Sequence, residues 1–234
     1  MFQVTAPPKS WLDTLALQCK VIAVQPNWAE ENLQVIRTLM ERAGLYRRAL
    51  APVMLAVGLV GVTAVPLGLR FCGQSLSSFI NYWSVVCLVA VAIAVVIIRR
   101  QAIRSSEPFL SAPTRRVASA MLPALIAGAA VPHVLCAVVP EISTSNTDAE
   151  YFIPLWLLFY GCSLHSAGLF ISKGTRWLGW MFIVIGTFLF ALAVIDRNRQ
   201  AIPSPHVVMG ATFGGMHLLA AAYLYYTEKP EPTP

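Results

Sequence analysis

The sequence predicts an all-α membrane protein, a bundle of six transmembrane helices preceded by an amphipathic cytoplasmic helix. Three observations predict it. The 234 residues are 57% hydrophobic and 12% charged, with a mean hydropathy of +0.65, and that charge is about half the roughly 25% of an average soluble domain. The apolar residues fall into six charge-free stretches, each near or above the roughly 20 residues that cross a hydrocarbon core of about 30 Å. Lys and Arg gather in alternate connections between those stretches. An ordinary soluble enzyme, a collagen-like chain and a disordered chain are excluded. Strands are also excluded, because no alternating ten-residue pattern appears and a backbone in lipid must satisfy itself inside a helix or a closed barrel.

Residues 1–26 read as a tail. Pro7, Pro8, Lys9, Asp13 and Lys20 interrupt it, so it lacks the apolar core and cleavage site of a signal peptide. Asn27 is placed to cap a helix, with Glu30 three residues on, close to a capping box. Ala29, Leu33, Ile36, Met40 and Ala43 then recur at three- and four-residue spacing, with Glu30, Glu31, Arg37, Glu41 and Arg42 elsewhere around the turn. That pattern makes 27–47 an amphipathic helix, a surface for a protein partner or self-association, or one that rests on the bilayer. The six spans follow at about 49–69, 79–98, 117–140, 151–172, 177–195 and 206–227, and 229–234 is a C-terminal tail. Span two starts near Phe79 because Gly73-Gln74-Ser75 is polar, and span six near His206 because Pro203-Ser204-Pro205 is.

Orientation follows from counting. With the N-terminus in the cytoplasm, fourteen of the seventeen Lys and Arg lie on the inner side, and the Glu141–Glu150 loop has acids and no base. Positive-inside asymmetry of this size places both termini in the cytoplasm. Tyr223, Tyr225 and Tyr226, with Trp177 and Trp180, fit interfacial belts at the inner ends of spans six and five. The same asymmetry accounts for the net charge of +6, so nucleic acid is not an expected partner and the lipid bilayer is.

Little in the spans carries chemistry. No Asp, Glu, Lys or Arg lies within them, which argues against a carboxylate-driven transporter and removes the acid pairs of membrane hydrolases. The five cysteines (Cys19, Cys72, Cys87, Cys136, Cys162) show no CxxC or metal-ligand spacing, so neither a disulfide framework nor a metal site is expected. The polar residues left form a candidate seam or ligand path of His133, Cys162, His165, Ser166, Thr212 and His217. His165 and His217 come within about 5 Å in depth at a rise of roughly 1.5 Å per residue, which admits a haem ligand pair if spans four and six are neighbours. Interhelical hydrogen bonding is the simpler use of these groups. His165 and Ser166 point about 100° apart with no acid at their depth, so no catalytic residue is assigned. Gly210 and Gly214 form a GxxxG for helix packing. Pro132 withholds a donor from the Gly128 carbonyl and is expected to kink span three.

Glu31-Asn32-Leu33-Gln34-Val35-Ile36-Arg37 with Tyr46-Arg47, Tyr160-Gly161-Cys162-Ser163-Leu164-His165, and Gly214-Gly215-Met216-His217-Leu218 with Tyr225-Tyr226-Thr227-Glu228 resemble segments of a group of uncharacterised bacterial integral membrane proteins. The resemblance covers about residues 27–228 and implies a bacterial inner membrane, with no substrate, cofactor or activity. The expectation is therefore a non-enzymatic accessory, assembly or signalling-associated protein without a cofactor. The alternatives are a small transporter or channel for a neutral solute, with His165, Ser166, Thr212 and His217 along the path, and a haem-bearing electron carrier.

Overall fold

The computed structural model describes residues 30, 32–33, 50–73, 75–104, 112–139, 149–195 and 204–227. The chain divides into two units, residues 1–45 and 46–234. In the first, Glu30, Asn32 and Leu33 are helical, and the remainder of the helix expected at 27–47 lies outside the described residues. The second unit contains α1 (Leu50–Phe71), α2 (Leu76–Arg104), α3 (Ala112–Val138), α4 (Ala149–Gly168), α5 (Lys173–Ile195) and α6 (Pro205–Thr227). Among the described residues there is no strand.

All of these helices except α4 are long and apolar enough to cross a membrane, five in number. Their outward faces suit lipid: Leu88 on α2, Ile126 on α3 and Phe188 on α5 are each more than 60% exposed. Apolar surface of that extent on a soluble monomer would be unusual. The 20-residue α4 is not among the five, and Tyr151, Trp156, Tyr160, Ser163, His165 and Ser166 interrupt its hydrophobic run. It packs against both α3 and α5, burying Phe152, Ile153, Leu157, Leu164 and Ala167. A helix sheltered by its neighbours can carry polar side chains that a lipid-facing one cannot.

Two boundaries move from their expected places for one reason. Ser75 Oγ accepts from the backbone N–H of Ser78 at 3.3 Å, so the polar stretch ahead of Phe79 is the cap of α2, which starts at Leu76. Ser172 Oγ likewise accepts from Thr175 N–H at 3.2 Å. It is the cap of α5 and not the end of span four, and α4 stops at Gly168. A serine oxygen satisfies a donor that the first helical turn leaves open.

Glycine sets the closest approaches. In the antiparallel α4–α5 hairpin a Cβ on Gly179 would lie 2.5 Å from His165 N, one on Gly161 2.8 Å from Gly179 O, and one on Gly186 3.0 Å from Pro154 O. Gly161 and Gly168, and Gly179 and Gly186, are each seven residues apart, two turns along one face. The antiparallel pair α1–α6 repeats the device, with Gly61 on Gly214 and Gly58 on Leu218. Here α6 widens into a π-turn over Gly210–Gly214, and the Gly215 N–H reaches back to Gly210 O. The GxxxG is thus a packing face against α1 inside the bundle: a Cβ on Gly210 would strike Val65, and one on Gly214 would lie 2.8 Å from Val62 N.

Candidate functional site

Polar side chains of α2, α4 and α6 form two clusters. In the first, His217 is 1% exposed. Its Nδ1 lies 2.6 Å from the Phe213 carbonyl, which can only accept, so Nδ1 carries the proton. Nε2 is then a lone pair, and Tyr160 Oη donates to it at 2.7 Å. The ring sits among Tyr160, Phe182 and Phe213, with centroids 5.5, 5.6 and 4.5 Å away. Both nitrogens of His217 are engaged, and α4 and α6 are joined through it.

The second cluster lies at the start of α6. Trp83 Nε1 donates to His206 Nδ1 at 3.1 Å, and Phe79 and Tyr82 pack on the same imidazole at 5.1 and 5.6 Å. Tyr82 Oη donates to the Ala64 carbonyl of α1. Phe79 also stacks on Trp156 of α4 at 6.0 Å. Trp156 Nε1 in turn donates to the Gly128 carbonyl at 2.9 Å, the group that Pro132 leaves without its helical donor. Pro132 and the indole of the neighbouring helix therefore belong to one contact.

The residues expected to share a seam do not meet as a set. His165 shares no contact with His217: it packs edge-on to Trp180 at 5.3 Å, and its Nδ1 is buried without a hydrogen-bond partner. The reason is helical phase. Tyr160 and His165 are five residues apart, about 140° around the helix at 3.6 residues per turn, so the phase that turns Tyr160 toward α6 turns His165 toward α5. The pair expected as haem ligands is thus not brought to a common site. His133 is exposed, its Nδ1 bonded to Ala129 O at 2.8 Å. Cys162 is an exposed free thiol and Ser166 is half-buried. Thr212 Oγ1 bonds back to Val208 O at 2.7 Å within α6. Among the described residues no three His, Cys, Asp or Glu side chains are grouped to hold a metal ion. Cys72, Cys87, Cys136 and Cys162 are free.

Tyr160, Trp83 and Trp156 were not singled out as site residues by spacing. The signal for Trp156 was indirect, since an orphaned carbonyl in a membrane helix demands a donor from a neighbour. No protein-family model matches the chain, and no curated protein or solved structure shows significant similarity to it.

A double-mutant cycle checks the Tyr160–His217 bond. With Tyr160→Phe and His217→Leu, the coupling measured by unfolding in mixed micelles is expected to be about 0.6 kcal/mol, and no more than ~1.7, as for other interhelical bonds in membranes. Additive effects of the two changes would show that the bond contributes nothing.

Proposed function

We propose that the chain is a six-span protein of a bacterial inner membrane, with both termini in the cytoplasm, acting as a non-enzymatic accessory, assembly or signalling component. The observation that carries the reading is the engagement of both His217 nitrogens, by Tyr160 and Phe213. The most deeply buried histidine of α6 is committed to joining helices, which suits a scaffold better than a pathway. The solute-path alternative draws no support from Thr212, which bonds within its own helix, or from His165, which faces α5. The sixth crossing is assigned to α4 because it runs antiparallel to α5 through Gly161, Gly168, Gly179 and Gly186. Its packing against the long apolar helices α3 and α5 supports that reading. The orientation rests on the Lys and Arg asymmetry, and the bacterial source on the resemblance of the three segments.

In this reading residues 27–47 meet the partner on the cytoplasmic side. Cysteines at Gln34 and Glu41, in a background lacking native cysteine, are expected to react with impermeant reagent only from the cytoplasmic side. A photo-crosslinker at either position should give a discrete adduct in cells, while proteoliposomes pass glycerol no faster than empty vesicles. Solute flux above the empty vesicles, with no adduct at either position, would replace the accessory role by transport.

A further inference from the structure

An open cavity of about 450 Å³ lies where α4 meets α5, lined by His165, Arg176, Trp177 and Trp180. Its chemistry is one-sided. Arginine and tryptophan side chains offer N–H donors and no acceptor. His165, whose Nδ1 is buried without a hydrogen-bond partner, lines the same cavity. No acid is among the lining residues. A ligand here must bring acceptors, and Arg176 favours an anion with oxygens spaced for its fork, as in a phosphate. The walls are apolar as well: Trp177 is 70% and Trp180 50% exposed, and exposed indoles on a membrane helix belong at the headgroup level. Arg176 lies in the first turn of α5, three residues after Lys173.

We propose that this cavity binds the phosphate headgroup of an anionic membrane lipid. Arg176 takes the phosphate oxygens, and the two indoles flank the upper acyl chain. The proposal rests on the membrane-spanning reading, and the test separates the two. The full chain is placed in phosphatidylcholine nanodiscs, where co-elution with the discs reports insertion independently of lipid choice. Tryptophan fluorescence is then followed against increasing phosphatidylglycerol with brominated acyl chains, with brominated phosphatidylcholine as the reference. Phosphatidylglycerol is expected to quench at lower mole fraction. Arg176→Gln should weaken that preference about tenfold, the loss of one charge-assisted contact, while Arg176→Lys keeps part of it. Arg99→Gln, the same charge change at the exposed end of α2, should leave it intact.

Equal quenching by the two lipids, or equal loss in the Arg99 and Arg176 variants, would overturn the proposal. Reversal of the preference by millimolar inorganic phosphate would also overturn it, assigning the cavity to a soluble phosphate.

Discussion

Gly179→Ala is expected to destabilise the bundle by about 1–3 kcal/mol or more, the range for overpacking a well-filled interior. The added methyl would sit 2.5 Å from His165 N and 2.8 Å from Gly161 O. Both obstacles are backbone, which no rotamer change moves aside, so α4 and α5 must separate along the hairpin. Separation also loosens the contact of His165 with Trp180. Gly215→Ala is the control: a Cβ there meets nothing within 4 Å, and alanine gains about 0.8–1.0 kcal/mol of helix propensity over glycine. The midpoint of unfolding in mixed dodecyl maltoside and SDS should fall for the first variant and hold or rise for the second. Equal midpoints would show that α4 and α5 are not in backbone contact.

Trp156→Phe should cost about 1–3 kcal/mol, the penalty for leaving a buried acceptor unsatisfied. The phenyl ring keeps the stacking partner for Phe79 but has no N–H for the Gly128 carbonyl. The cause can be isolated, because Pro132→Ala restores the helical N–H that the carbonyl lacks. Combined with Trp156→Phe, it should recover most of the loss. Purely additive behaviour of the two substitutions would mean that the indole acts through its volume alone.

Much of the fold was legible because a bilayer imposes a one-dimensional rule: apolar runs of sufficient length become helices. The rule sees neither caps nor phase. Ser75 and Ser172 look like loop residues by hydropathy, yet each closes a helix start, which is why α2 begins before Phe79 and α4 ends before Ser172. Spacing grouped His165 with His217 by depth, but it does not encode rotation about the axis, and His217 meets the hydroxyl of Tyr160 instead. The orphaned Gly128 carbonyl could be read from Pro132 alone. Its donor could not, because Trp156 lies on another helix and nothing in linear spacing encodes which helices touch. The polar side chains of α4 are compatible with its place between α3 and α5.

The crossing of α4 is the point on which the whole arrangement turns, and the parity of the chain tests it. Fusions of paired reporters, one active only in the periplasm and one only in the cytoplasm, are made after Pro234, within 141–148 and within 105–111. Six spans require the fusions after Pro234 and within 105–111 to report the cytoplasm, and the one within 141–148 the periplasm. If α4 stays on one side and only the other five helices cross, the fusion after Pro234 will report the periplasm while the one within 105–111 remains cytoplasmic.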